Sequence, residues 1–241
     1  MKNCIYFLFC ATFVTSLPLF SQEDESPAIV LDRVPSSTLK ILGGIPNTLA
    51  PSALKRNFNS MFHLKGNYTY TLPMGIQFGG TFTYLVSQVN NRKIQNISSL
   101  TADPLYKIDP DNTIRTSQRI IGIGAKIGYE HLISGSASMH YNVTPGYSFI
   151  RYKNPIKAGA NPRLYNFNSP QIDAEIGINY YFDEKTAVGF DVVYSYFGTN
   201  KINLDELGLG TNVLAYTPSE LKDKKLQYLT LGISFIYLLK N

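Results

Sequence analysis

The sequence predicts an all-β fold, a closed eight-stranded antiparallel β-barrel that crosses a membrane as an up-and-down meander. Three observations lead to this prediction: long stretches of alternating apolar and polar residues, connections that alternate between short and long, and the composition. Of the 241 residues, 44% are hydrophobic, 13% are aromatic and only 16% are charged. Low charge with many aromatics excludes a disordered chain and a coiled coil. A mean hydropathy of -0.07 excludes a bundle of membrane helices, which needs repeated long apolar runs.

The first residues have the features of an export leader. Lys2 supplies a positive start, Ile5–Phe20 is almost unbroken apolar sequence, and Ser21 offers a small residue for cleavage. These features predict a cleaved signal peptide over residues 1–21. An N-terminal membrane anchor is the alternative, but the apolar run is short for a span and acidic residues follow it.

The rest of the chain is expected to form one domain after a short lead-in. Residues 22–35 are predicted to be a periplasmic segment, and residues 36–241 the barrel. Both cysteines, Cys4 and Cys10, leave with the leader, so the mature chain is expected to have no disulfide and no thiol ligand. Loss of the leader removes one lysine and lowers the formal net charge of +5 by one. Such a small and scattered charge argues against nucleic-acid binding.

Alternation with a period of two marks the strands, because successive side chains of a strand point to opposite faces. Ile76, Phe78 and Phe82, for example, alternate with Gln77 and Thr81. The same pattern predicts seven strands, over Phe58–Leu72, Met74–Asn90, Gln118–His131, Ala137–Tyr152, Gln171–Phe182, Thr186–Thr199 and Leu229–Leu239.

The first strand is the weakest of the eight. Thr38–Ile45 is short, with Leu39, Ile41 and Gly43 on its apolar face. We assign it as a strand because closed bacterial barrels normally have an even number of strands. Ala28–Val34 is the alternative first strand.

Connections between the strands alternate in length. The sequence predicts tight turns at Leu72–Gly75, Ile133–Ser136 and Asp183–Thr186. It predicts long polar loops at about 46–57, 91–117, 153–169 and 200–224. Short turns on one side and long loops on the other are typical of an outer-membrane barrel with both termini in the periplasm. The apolar faces would then meet lipid, and the small and polar faces would fill a narrow interior.

Ionisable residues on the polar faces lie at similar heights above the short turns. We expect one slab of the interior to hold Lys65, Lys126, His140, Glu175 and Asp191, with Asp173 and His63 just above it. Isolated charges in a filled interior are costly, so we expect these groups to form a structural salt-bridge layer that plugs the lumen. A proton or ion path through the lumen is the alternative.

Catalytic and metal-binding patterns are weak. The chain has three histidines and no HExxH motif. Glu130, His131 and Ser134 superficially resemble the Ser–His–acid set of outer-membrane lipid A deacylases. They lie at a predicted periplasmic turn, however, whereas such enzymes act at the outer rim. We therefore expect no enzyme activity, no cofactor and no metal.

The sequence around the predicted cleavage site is Leu-Phe-Ser-Gln, over residues 19–22. Eight alternating strands with four long loops follow, and Leu229–Leu239 is the last of these strands. In these features the chain resembles the small outer-membrane β-barrel family, of the PorT-like and OmpX-like kind found in Bacteroidota. The resemblance implies insertion by the barrel assembly machinery into the outer membrane of a Gram-negative bacterium. It also implies that some members serve the type IX secretion system. One departure is that four residues follow Tyr237, where many such chains end on an aromatic.

The predicted function is that of an outer-membrane barrel with a plugged lumen, which acts through its long loops or as an accessory of a secretion or assembly system. An outer-membrane lipid-modifying enzyme and a surface adhesin are the alternatives. Besides the machineries named above, the expected partners are outer-membrane lipid and lipopolysaccharide. Lys222, Lys224 and Lys225 would contact lipopolysaccharide phosphates if they reach the rim. The barrel is expected to be a monomer.

Overall fold

The computed structural model describes residues 35–50, 55, 58–89, 117–154, 163–198 and 225–239. These residues form eight strands: β1 (Ser36–Ala50), β2 (Phe58–Thr71), β3 (Ile76–Val89), β4 (Ser117–Ser134), β5 (Ala137–Asn154), β6 (Arg163–Tyr181), β7 (Thr186–Phe197) and β8 (Leu226–Leu239). Each strand pairs antiparallel with the next and β8 pairs with β1, which closes the barrel. The predicted fold class is confirmed. Within the described ranges, no helix has the length and apolar character needed to span a membrane.

The first strand is longer than predicted. β1 contains Thr38–Ile45 but continues to Ala50, so residues 46–50 are strand where a loop was expected. The pairing of β1 with β2 ends at Gly44, whereas its pairing with β8 continues. Pro46 therefore lies where one side of the strand is unpaired, a position at which strands tolerate a residue without an N–H. The alternative Ala28–Val34 lies outside the described residues, as does the predicted leader.

The sixth strand also begins earlier than predicted. β6 starts at Arg163 rather than at Gln171, because its ladder with β5 runs back to the pair of Asn154 and Arg163. Its ladder with β7 stops at Gln171, so the first eight residues of β6 pair on one side only. This one-sided extension mixes Leu164, Tyr165 and Phe167 with polar residues and ends at Pro170, so it lacks the regular alternation of the other strands.

Three short turns lie at one end of the barrel, here called the turn end, at residues 72–75, 135–136 and 182–185. The four other connections join strands at the opposite end, here called the loop end. The outer ends of β1 and β8 meet at the turn end, where Ser37 pairs with Leu239. Gly75 has a φ of 92°, which favours glycine, and its carbonyl accepts from the Glu130 N–H at 2.8 Å.

Apolar side chains point outward, as the alternation predicts. Ile45 is 72% exposed and Ile233 is 66% exposed, and the outer face of every strand carries further exposed aliphatic and aromatic side chains. Most inward side chains are buried and polar or charged. The barrel therefore has the reverse polarity of a water-soluble barrel, whose apolar side chains fill the inside.

The interior differs from the prediction near the loop end. There some inward positions hold large apolar side chains that are almost completely buried, here called the apolar layer: Leu85, Ile120, Ile150, Phe197 and Leu226. Leu85, Ile120 and Ile150 are direct neighbours across β3, β4 and β5. The expectation of a small and polar interior was wrong at this level, because buried apolar side chains take these inward positions.

Candidate functional site

The middle of the barrel holds a network of buried charges centred on Lys40. The Lys40 Nζ lies 2.5 Å from Asp191 Oδ1 and 3.0 Å from Glu175 Oε1. It also lies 3.0 Å from His140 Nε2. His140 Nε2 in turn lies 2.9 Å from Asp191 Oδ1, so one ammonium and one imidazole face the same two carboxylates.

Lys65 extends this network to a third acid. Its Nζ donates to Glu175 Oε2 at 2.9 Å and lies 3.3 Å from Asp173 Oδ2. Glu175 therefore uses one oxygen for Lys40 and the other for Lys65. Gln171 holds the third acid in place, because the Gln171 Nε2 donates to Asp173 Oδ1 at 2.7 Å.

The network, here called the ion-pair layer, consists of Lys40, Lys65, His140, Asp173, Glu175 and Asp191. Each of these residues is at most 5% exposed. Two lysines and an imidazole face three carboxylates, and each carboxylate is matched by a lysine within 3.3 Å. A buried charge without a partner costs several kcal/mol, which makes this matching a condition for a filled lumen.

The layer residues all occupy inward-facing positions of their strands, and a glycine between two of them leaves room for their side chains to meet. His140 on β5 and Asp191 on β7 are both direct neighbours of Gly177 on β6. A Cβ at Gly177 would clash with the Asp191 carboxylate and the His140 ring. The missing side chain therefore leaves the space in which the imidazole and the carboxylate meet.

Five of the six predicted site residues belong to the layer, and Lys126 does not. Lys126 is buried and points inward, but it has no ion pair among the described residues. With its side-chain amide oriented to satisfy both neighbours, Asn142 accepts from Lys126 Nζ at 3.2 Å and donates to Gln77. His63, expected just above the slab, bonds through Nδ1 to Thr230 Oγ1 at 2.8 Å.

Sequence reasoning missed Lys40, the cation at the centre of the layer. The signal was present, because Leu39 and Ile41 define the outer face of β1 and the residue between them must point inward. The alternation alone therefore predicts that Lys40 faces the lumen.

Hydrogen-bonded groups close both ends of the layer. Toward the loop end, the Tyr228 hydroxyl donates to Gln118 Oε1 at 2.6 Å, and Gln118 Nε2 donates to the Tyr152 hydroxyl at 2.5 Å. Toward the turn end, Glu130 accepts from the Tyr181 hydroxyl at 3.0 Å and from Gln77 at 3.0 Å. The interior is thus filled by side-chain contacts at three successive levels.

The residues of the weak Ser–His–acid pattern are not brought together. Glu130 points inward, whereas His131, the next residue along β4, is exposed on the outer face. Ser134 is exposed at the turn, where its Oγ accepts from the Ser136 N–H. These three side chains therefore form no proton relay.

His140, Glu175 and Asp191 have the composition of a metal site. One ligand atom from each lies within 4.8 Å of the others, a spacing that fits a single ion. The Lys40 ammonium, however, makes short contacts with all three. The lysine thus supplies the positive charge that a metal ion would bring.

The fold is similar to that of several solved bacterial outer-membrane proteins. A major outer membrane protein of Thermus thermophilus is 9% identical, with 86% of this chain and 100% of that chain covered and a TM-score of 0.50. Neisserial surface protein A is 11% identical, with 83% and 96% covered and a TM-score of 0.48. OprG of Pseudomonas aeruginosa is 10% identical, with 86% and 97% covered and a TM-score of 0.45. No protein-family model and no curated protein matches this chain. At these identities the likeness shows the fold alone.

Proposed function

We propose that this chain is an outer-membrane β-barrel with a closed lumen, which acts through the connections at its loop end and not as a pore. The observation that carries the proposal is the filled interior. The ion-pair layer and the apolar layer occupy successive levels of a barrel whose eight strands enclose room for side chains only. Within the described strands, side chains therefore occupy the space that a passing solute would need.

The outer surface supports insertion into a bilayer. Near the turn end, aromatic pairs are formed by Tyr70 with Phe78 and by Tyr180 with Phe182. Near the loop end, further pairs are formed by Phe62 with Tyr84 and by Tyr147 with Phe149. On β2 the two levels are eight residues apart, which gives roughly 20 Å of depth at a strand tilt of about 40°. Aromatic belts on either side of an apolar band are typical of outer-membrane barrels.

The proposed location is the outer membrane of a Gram-negative bacterium, reached by a cleaved leader and the barrel assembly machinery. Under this proposal the turn end, where β1 and β8 meet, lies in the periplasm. The loop end then faces the cell exterior. We propose a monomer, because the eight-stranded sheet is closed and leaves no edge strand for another subunit.

Within this frame we propose a PorT-like accessory role in a secretion or assembly system. The support is by elimination within the described residues. The filled lumen argues against a pore, and the separation of Glu130, His131 and Ser134 argues against catalysis by this set. We propose that a partner binds the connections 51–57, 90–116, 155–162 and 199–224. Replacing residues 91–116 by a short turn should abolish co-purification of the partner from native outer membranes, while the barrel still folds. An unchanged set of co-purified proteins would contradict this role.

Two competing functions have separate tests. A lipid-modifying enzyme predicts activity on lipid A that His131→Ala removes, whereas we expect no activity in either protein. A surface adhesin predicts that protease treatment of the loops in intact cells abolishes attachment to a ligand without loss of secretion.

Planar-bilayer recording tests the closed lumen directly. We expect the folded mature protein to insert without a steady single-channel conductance. Steady conductance from protein that is shown to be folded by its gel mobility would overturn the proposal in favour of an ion path.

A further inference from the structure

Two arginines face each other on the outer surface of the barrel, at the loop end. Arg119 on β4 and Arg151 on β5 are direct neighbours in the ladder, and both are exposed. Like charges placed directly opposite on neighbouring strands destabilise a sheet unless a counter-charge lies between them. The pair therefore calls for an anion.

The described residues supply no such anion. The four acids on the strands point into the lumen: Glu130, Asp173, Glu175 and Asp191. The two other described acids, Asp183 and Glu184, lie in a turn at the far end of the barrel. The outer face near the arginines adds a further cation, because Lys153 is exposed two residues beyond Arg151.

The depth of the pair matches the edge of a hydrocarbon layer. On the outer face of β4, Tyr129, Ile127, Ile123 and Ile121 precede Arg119 toward the loop end. Arg119 lies ten residues from Tyr129, or about 25 Å of depth at a strand tilt of about 40°. On β5, Arg151 follows Tyr147 and Phe149 in the same way. The arginines thus lie where the apolar band gives way to headgroups.

One arginine is held in place by a neighbour on the next strand. The Arg151 Nε donates to Asn166 Oδ1 at 2.9 Å. Among the described residues, the terminal nitrogens of its guanidinium have no hydrogen-bond partner. A guanidinium fixed through Nε presents its terminal N–H groups as a fork, a geometry that suits phosphate oxygens.

We infer that Arg119 and Arg151, with Lys153 beside them, bind the phosphate group of an anionic lipid headgroup in the outer leaflet. One phosphate between two guanidinium groups would turn their repulsion into charge-assisted hydrogen bonds. This inference rests on the proposed insertion of the barrel with its loop end outward. It assigns the phosphate-binding role to the strand ends, whereas the sequence had suggested the lysines at 222–225.

The test compares lipids that differ only in phosphate. Full-length mature protein is reconstituted in phosphatidylcholine nanodiscs doped with diphosphorylated lipid A or with the same lipid after dephosphorylation. Native mass spectrometry then counts the glycolipid retained by the wild type, by R119Q/R151Q and by the control K185Q, which removes an exposed cation at the turn end. We expect retention of the phosphorylated lipid to fall about tenfold in R119Q/R151Q, since hydrogen bonds to charged groups are lost. K185Q should retain as much as the wild type.

Three results would overturn the inference: equal retention by R119Q/R151Q, an equal loss in K185Q, or equal retention of the dephosphorylated lipid. Displacement of the lipid by inorganic phosphate at matched concentration would overturn the lipid source and show a site for free anions. The single variants R119Q and R151Q serve if the double variant fails to fold. Protein that does not enter nanodiscs contradicts the proposed function, whereas inserted protein without phosphate preference contradicts this inference alone.

Discussion

Lys40 makes more contacts with the ion-pair layer than Lys65, the other lysine in it. Lys40 contacts two carboxylates and one imidazole, and, within the described strands, no second lysine contacts Asp191. Because Lys65 already pairs with Asp173 and Glu175, the layer has no spare lysine to replace Lys40. Its removal should therefore affect the whole network and not only one pair.

Lys40→Met should lower the free energy of unfolding by about 3–5 kcal/mol, since it leaves buried carboxylates uncompensated. Urea unfolding of protein in lipid vesicles, followed by gel mobility, measures the effect. Lys185→Met, at an exposed site, should change stability little. In the double variant with Asp191→Asn the loss should be smaller than the sum of the two single losses. Additive losses would show that the pair is not coupled.

Asp183 provides a pH-dependent contact outside the strands. Its carboxylate accepts hydrogen bonds from the Lys185 N–H at 2.7 Å, the Thr186 hydroxyl at 2.8 Å and the Thr186 N–H at 2.6 Å. These hydrogen bonds, first that from the Lys185 N–H, lower the pKa of the Asp183 carboxyl below its ordinary value. The charged form is therefore the one that stabilises the turn.

Because the folded pKa is depressed, the stabilisation by Asp183 is complete above the unfolded pKa of about 3.9 and is lost as pH falls through the folded pKa. We expect the urea midpoint of the wild type to exceed that of Asp183→Asn at neutral pH. The difference should shrink as the pH drops below about 3.9. A difference that stays constant into strong acid would refute the role of the ionised carboxylate.

At the scale of the strand, glycines on the two faces have different tasks. Gly177 faces the lumen between His140 and Asp191, where a Cβ would clash with both. Gly66 faces outward, and a Cβ there would meet no atom within 4 Å. The two positions form a matched pair of the same residue type in the same sheet.

Gly177→Ala should destabilise the barrel by about 1–3 kcal/mol through overpacking. Gly66→Ala should be neutral or slightly stabilising, because alanine restricts the unfolded chain more than glycine does. Equilibrium unfolding in vesicles distinguishes the two. Equal effects would mean that the space between His140 and Asp191 is not limiting.

Much of the strand pattern was predictable because alternation depends only on local sequence. The faces follow from it, and Ile76, Phe78 and Phe82 point outward as expected. The three turns and the closed sheet were predicted from turn residues and from the lengths of the connections. The extra length of β1 and β6 was not predictable, since a strand paired on one side needs no alternation. The local pattern assigns each side chain to a face of the sheet. It does not determine how far a strand continues its pairing with one neighbour after its pairing with the other has ended.

At the scale of the whole molecule, the contacts between charges depend on the register of all eight ladders. Lys40 and Glu175 lie 135 residues apart in sequence and are joined only when the ring is complete. Counting residues from the short turns predicted that Lys126 belongs to the layer. In the folded barrel, its position around the ring places its ammonium beside Asn142 instead. Most members of the layer were therefore predictable from the sequence, but the ion pairs that they form were not.

The proposed orientation gives a prediction for intact cells. An epitope tag after residue 241 should resist external protease in intact cells and be cleaved after the outer membrane is opened, because β8 ends at the turn end. A tag within residues 199–224 should be cleaved in both cases. Cleavage of the C-terminal tag in intact cells would show the opposite orientation.

The pairing of β1 with β8 has a consequence for biogenesis. Ser37 pairs with Leu239 near the end of β8. One edge of β1 therefore stays unpaired until β8 has been synthesised. Until then a partial sheet has two unsatisfied edges, which favour aggregation, and the long sequence separation slows closure. We therefore expect a premature stop before β8 to produce a substrate for proteolysis instead of a shorter barrel.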